Sequence, residues 1–272
     1  MPYLQYSHVL MLINICVIIF WSLLLVSCTS SNGLENVLLV SLSYKSPAAN
    51  TTHDPLLLNL NVTQELSEQL SRSEKIIQQI RVSYVSICMA LNSGIWVCNN
   101  NAEELALILR EVGNGDPLNL LRLAENFRWG VVFYALIIIA IIFTLISLLL
   151  LSSFPGWHEY SDSEDKSREI KPFPSRPVSL LAAALMTAAS ALGFVSAFWQ
   201  HIGAAGTSTL LRLLTYDIAE AQLGASAMTL GWLGAACAGI TTIGLIIIII
   251  AIRTLQALAD YPRTNSQGLV GE

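Results

Sequence analysis

Four stretches of almost unbroken apolar residues punctuate the chain, at about 8–28, 129–152, 178–201 and 227–252. A helical run of about 22 residues rises about 33 Å, enough to cross a hydrocarbon layer of about 30 Å. The pattern predicts four transmembrane helices. The first run is longer than the usual core of a cleaved secretory signal, and no Lys or Arg precedes it, so it reads as a retained helix. Leu25-Val26-Ser27-Cys28 also resembles a bacterial lipoprotein cleavage sequence.

Between the first two runs, residues 30–128 change character. Arg81 to Cys98 (RVSYVSICMALNSGIWVC) reads as two short strands joined by a turn. Tyr84, Val85, Ile87, Ile95, Trp96 and Val97 are the β-branched and aromatic residues that suit a half-buried pleated surface. Asn92-Ser93-Gly94 supplies the turn, with Gly94 free to take positive φ. Residues 37–44 and 56–62 are further strand candidates. Asn101, with Glu104 three positions on, is an N-cap for a helix from Ala102 to about Arg110, which Gly113-Asn114-Gly115 ends. The loop is therefore expected to be a small sheet plus one short helix.

Composition agrees with the membrane assignment: 54% of the 272 residues are hydrophobic and only 12% charged. The net charge of -5 is spread out, which gives nucleic acid no footprint. Of the five cysteines, Cys16, Cys28 and Cys237 lie in or beside apolar runs and read as small buried hydrophobes. Cys88 and Cys98 lie in the large loop and read as a disulfide, which requires an oxidising compartment. A metal site is the rival reading, but no histidine lies near the pair.

Asn50-Thr51-Thr52 and Asn61-Val62-Thr63 are glycosylation acceptor triplets in that same loop, so the loop faces the lumen or the exterior. Residues 153–177 carry Lys166, Arg168, Lys171 and Arg176, which marks a cytoplasmic connection. Its cluster of Ser161, Asp162, Ser163, Glu164 and Asp165 reads as solvated, with phosphorylation as the minority reading. Residues 202–226 form a short exterior link, and Arg253 and Arg263 place the tail, 253–272, inside. Both termini then face the cytoplasm.

No Asp, Glu, Lys or Arg lies within the four runs, whereas pumps and ion-coupled transporters keep ionisable groups there. Small residues recur instead at helical spacing: Ala189, Gly193 and Ala197 on the third run, and Ala227, Gly231, Ala235 and Gly239 on the fourth. Such faces let helices pack backbone to backbone, within the molecule or against a partner.

The ordered set of short motifs resembles the fungal calcium-regulator and membrane-fusion family, induced by mating factor, within a claudin-like superfamily. The matching pieces are Arg81-Val82-Ser83-Tyr84 leading into Cys88, Gly94-Ile95-Trp96-Val97-Cys98, and Asp116-Pro117-Leu118-Asn119-Leu120. Phe154-Pro155-Gly156-Trp157-His158, Lys171 to Ser179 (KPFPSRPVS), and Trp199-Gln200-His201 complete the set. Ser83 and Ser86 stand where the family's cysteine motif has glycines, and one more residue separates the two cysteines. The resemblance implies a four-helix bundle with a claudin-like extracellular β-sheet, in the plasma membrane of mating cells. It also implies support of low-affinity calcium influx and of membrane fusion.

No dense carboxylate cluster or calcium loop accompanies that implication: the large loop holds ten acidic and seven basic residues, dispersed. Asp116 is a candidate cation ligand or, as Asp-Pro favours, the start of a turn into the membrane. His201 is a candidate gating group or an interfacial anchor beside Trp199; Trp157 with His158 reads as an anchor on the other side. The leading expectation is a regulatory scaffold without catalysis or cofactor, whose partners are the bilayer and another membrane protein, a calcium channel subunit or itself. A calcium-conducting pore and a cell-cortex organiser are the alternatives. An enzyme is disfavoured, since no nucleophile elbow, phosphate loop or His/Cys/Asp constellation is visible.

Overall fold

The computed structural model describes residues 6–27, 37–44, 77, 79–91, 95–113, 115–153, 158–160, 168–170, 176–215 and 218–266. Asn50, Asn61, the 56–62 strand candidate, Gly94, Trp157 and Cys28 lie outside them, and of His158 only the backbone is described. Four of the described helices are long and apolar enough to cross a membrane. They are α1 (Tyr6–Val26), α4 (Tyr134–Ser152), α5 (Arg176–Leu214) and α6 (Ala225–Ser266). The shorter α2 (Ala102–Glu111) and α3 (Leu120–Val131) lie between the first two of these. The strands are β1 (Val40–Tyr44), β2 (Gln79–Val82), β3 (Ile87–Ala90), β4 (Trp96–Asn99), β5 (His158–Tyr160), β6 (Arg168–Ile170) and β7 (Ala219–Leu223).

The chain divides into two compact units, one of residues 1–19, 138–193 and 233–272, the other of 20–137 and 194–232. The second unit contains an antiparallel sheet in the order β4-β3-β2-β1-β7. Its register aligns apolar residues in rows: Val40, Val82 and Ile87 in one, Leu42, Ile80 and Met89 in the next. All six are buried at 1% exposure or less. Since strand side chains alternate between faces, these rows form one continuous apolar face. The helices α2 and α3 touch each other, α2 also touching β4 and α3 touching β2. They bring Leu105, Leu109, Leu120, Leu121, Ala124 and Phe127 into the same core.

Four features depart from the sequence expectations. The segment expected to be one strand through Tyr84 and Val85 is broken by a turn, so β2 ends at Val82 and β3 begins at Ile87. Ser83 Oγ donates to the Ser86 carbonyl at 2.8 Å and accepts from the Ser86 N–H at 3.1 Å. Serine side chains that offer the backbone a local partner compete with the ladder in this way. The described part of the loop holds two helices where one was expected: residues 129–131 belong to the amphipathic α3, and α4 starts afresh at Tyr134. Residues 202–226 are not a plain link. The helix α5 runs on to Leu214, a length of about 58 Å at 1.5 Å per residue, and β7 follows as the fifth strand. The connection at 153–177 carries the β5–β6 hairpin.

Small residues do sit at helix contacts. A Cβ on Gly231 would lie 3.7 Å from Ala197 and 3.9 Å from Leu24, and one on Gly239 would lie 3.9 Å from Ser190. Ala189, Ala197, Ala227 and Ala235 are buried, as is Gly193.

Candidate functional site

Cys88 and Cys98 stand directly opposite each other on β3 and β4, with Cα atoms 4.0 Å apart, and are joined as a disulfide. Cross-strand cysteines in such a pair need no backbone movement to bridge. Arg81 occupies the same row on β2, so its side chain leaves from the same face. It reaches across β3 and lays its guanidinium 4.0 Å from the ring centre of Trp96, two residues along β4 from Cys98. The disulfide, the cation–π pair and the ladder thus bind three adjacent strands together.

The turn between β2 and β3 carries Tyr84, and this is where the sheet is tied to a long helix. Tyr84 is 3% exposed and its hydroxyl donates to Oε1 of Gln200 on α5. Gln200 is itself 3% exposed, and its Nε2 has no partner. Burial pushes the Tyr84 phenol well above the ordinary tyrosine range, opposed by a hydrogen bond with Ser196. The phenol therefore stays protonated and a donor at any physiological pH. The neighbouring motif residues face elsewhere. Trp199 is half exposed and packs on Phe133 at 5.9 Å, while His201 is exposed with its ring 6.4 Å from Trp232. With Phe194, Phe198 and Trp129, these rings form an exposed aromatic set of the kind found at membrane–water interfaces.

A second tie comes from Arg128, which the sequence reasoning passed over. It is 8% exposed, and its Nη1 donates to the carbonyls of Val85 at 3.1 Å and Asn100 at 2.8 Å. It thereby holds the Tyr84 turn and the β4–α2 corner from one point on α3. Burial draws its guanidinium below the usual arginine range, and Glu125 opposes that shift. The only sequence signal is a lone Arg just before an apolar run, which reads equally well as a surface charge.

Asp116 is a helix cap in this arrangement. Its Oδ1 accepts from Tyr44 Oη at 2.6 Å and Leu120 N–H at 2.9 Å, and its Oδ2 accepts from Leu121 N–H at 2.9 Å. A carboxylate at a helix N-terminus meets both the unpaired N–H groups and the positive end of the dipole. Pro117 follows in the turn. Tyr44, the last residue of β1, ties that strand to the cap; burial, then the bond to Asp116, raises its phenol far above the ordinary value. At α2, Asn101 Oδ1 accepts from the Glu103 N–H at 2.9 Å. The Asn101 N–H goes to Asn99, which in turn donates to Glu104, so the reciprocal bond of a capping box is relayed through Asn99. Gly113, at φ 73°, ends that helix.

Among the described residues, no group of three or more His, Cys, Asp or Glu side chains is placed to hold a metal ion. The arrangement holds the sheet to the helices around it.

These features define a class: a mainly helical membrane protein with four candidate spans and a small disulfide-bonded antiparallel sheet. Residues 63–251 match the family model of the calcium regulator and membrane fusion protein Fig1, and the chain belongs to that family. No curated protein matches the chain at a significant level.

Proposed function

We propose that this protein acts without catalysis, as a scaffold that displays its cross-linked sheet on the exterior of the plasma membrane. In this role it supports low-affinity calcium influx and the fusion of two membranes during mating. The arrangement is claudin-like: four spans, an exterior sheet, and both termini in the cytoplasm. Family membership gives the calcium and fusion part of the reading. The observation that carries the scaffold part is the pair of buried ties, Tyr84 to Gln200 and Arg128 to Val85 and Asn100. The first holds the turn of the sheet against the long helix α5, and the second holds the same turn to α3. The acceptor triplets at Asn50 and Asn61 support the exterior placement of the loop, and the basic residues of 153–177 support the cytoplasmic placement of the termini.

The partner is the bilayer together with another membrane protein, either a calcium channel subunit or a second copy of this chain. The protein gathers at the contact site of mating cells. A conducting pore is the alternative function, and Asp116 weighs against it, because both its oxygens are already engaged by protein donors.

The experiment is calcium influx and cell fusion in mating cells that carry Tyr84→Phe together with Gln200→Leu, at matched surface abundance. Loss of both readouts supports the scaffold reading. Normal influx and fusion would refute it. Calcium flux through the purified protein in liposomes would replace it with the pore.

A further inference from the structure

We propose that Asn14, buried on α1, holds a bound water molecule at its seam with α6, shared with Thr241. Asn14 is 0% exposed, and neither its Nδ2 nor its Oδ1 has a hydrogen-bond partner. Other buried polar side chains of the long helices solve this problem within the protein backbone. Thr144, Thr241 and Thr242 donate to carbonyls one turn back, those of Ala140, Cys237 and Ala238, at 2.7, 3.0 and 2.9 Å. Ser147 donates to the Ala182 carbonyl of the next helix at 3.3 Å. A primary amide brings donors and an acceptor together, and apolar surroundings offer neither. A buried polar group left in that condition is the costly case.

The seam can be read from its packing. A Cβ on Gly244 would lie 2.6 Å from Leu10 Cδ2 and 3.1 Å from Tyr6 Oη, so α1 presses closely on α6 at that glycine. Farther along the same two helices, a Cβ on Gly231 would lie 3.9 Å from Leu24 Cδ2. Residue numbers thus rise along α1 as they fall along α6, and the two helices are antiparallel. Asn14 lies one turn from Leu10 on the same face, and Thr241 lies between Cys237 and Gly244 on one face of α6. The register brings Asn14 to the level of Thr241. Thr241 has spent its hydrogen on Cys237, which leaves its oxygen as an acceptor.

Water is the ligand that this set fits. It accepts from Nδ2 and donates to Oδ1 and to Thr241 Oγ1, which gives the usual number of bonds for a buried water. A cation would satisfy Oδ1 alone and leave the amide N–H groups unpaired. It would also bring charge into a set of apolar runs that contain no Asp or Glu.

The test uses the full-length protein with nitrogen-15 labelled asparagine and carbon-13 labelled leucine and valine methyl groups in lipid nanodiscs, read by water-edited solid-state NMR. The Asn14 side-chain amide is identified as the signal missing from Asn14→Leu. It should receive polarisation from water while the methyl groups of Leu10 and Val17 stay dark, and Thr241→Val should reduce that transfer. An Asn14 amide that stays dark, with the side chain folded back on its own helix, would overturn the proposal. So would a shift of this signal on adding calcium chloride, which would make the ligand a cation. A mature protein from which α1 has been removed would overturn it as well. Should Asn14→Leu fail to fold, Asn14→Asp supplies the assignment, because it also removes the amide signal.

Discussion

The sheet and the long helices solve the same problem, burial, by opposite means. In the sheet and its flanking helices, directional bonds set each junction: a disulfide, a cation–π pair, a carboxylate cap and a two-carbonyl arginine. In the long helices, contact is made by small residues at van der Waals distance, and polar side chains turn back mostly onto backbone carbonyls. Polar groups abound in the first region, so stability there requires specific closure. The second needs none, because hydrocarbon leaves the backbone no partner except itself. The lesson is one of tolerance: single atoms decide the first region, and bulk decides most of the second.

Paired glycines give the sharpest way to break this comparison, from one extreme to the other. A Cβ on Gly224 would fall 1.6 Å from the Leu38 carbonyl oxygen, where the chain leaves β7 for α6. Gly224→Ala should therefore prevent the β7 edge from forming, costing more than about 4 kcal/mol, at the exceptional end for one substitution. Retention of the protein in the secretory pathway measures it. Arg128→Met comes next, at about 3 kcal/mol, because it leaves two carbonyls buried without a donor. Thermal unfolding of the purified protein should show it, with faster exchange of the amides of β3.

Removing the disulfide with Cys88→Ala should cost about 2–3 kcal/mol on the chain-entropy account. Cys98→Ala should cost as much, and the half-buried Cys98 left by Cys88→Ala should react with a membrane-impermeant thiol reagent. Normal trafficking of both would demote the disulfide from its central place.

Tyr44 gives a pH signature. Its phenol is raised above the ordinary 10.0 in the folded state. The unfolded chain therefore ionises first, and the contribution of Tyr44 is complete below about pH 10. That contribution is lost as pH climbs from there toward the folded value. Tyr44→Phe should flatten this alkaline loss while lowering stability by about 1 kcal/mol at neutral pH, through the bond to Asp116. Circular dichroism between neutral and strongly alkaline pH reads both.

At the other extreme stands Gly231→Ala. Its Cβ would meet Ala197 and Leu24 at ordinary contact distances. The substitution should change stability by less than about 1 kcal/mol, in the stabilising direction, by limiting the unfolded chain. Strong destabilisation there would remove the contrast between the two regions.

Much of this is legible in the amino-acid sequence alone. Uninterrupted apolar runs are a one-dimensional signal, and so is the Asn101 cap, whose partners lie within a few residues. The disulfide was legible because both cysteines lie in one short hairpin. The turn at Ser83–Ser86 was not, since β-branched and aromatic neighbours mask a serine whose hydroxyl bonds the backbone three residues on. The strand β7 was missed because Ala-Glu-Ala-Gln-Leu carries little strand preference of its own; pairing along the whole of β1 creates it. Arg128 and Gln200 looked like a surface charge and a motif letter. Their roles depend on acceptors and donors dozens of residues away.

By itself, the amino-acid sequence determined which segments are long and apolar enough to cross a membrane, which cysteines join, and which family the chain belongs to. Each follows from composition or from neighbours close along the chain. Only the tertiary structure decided that a buried tyrosine and an arginine clamp the sheet turn, that Asp116 is a cap, and that Asn14 is left without a partner. Those outcomes depend on long-range register, which sets whether a polar atom finds its complement, and no local pattern encodes that distance.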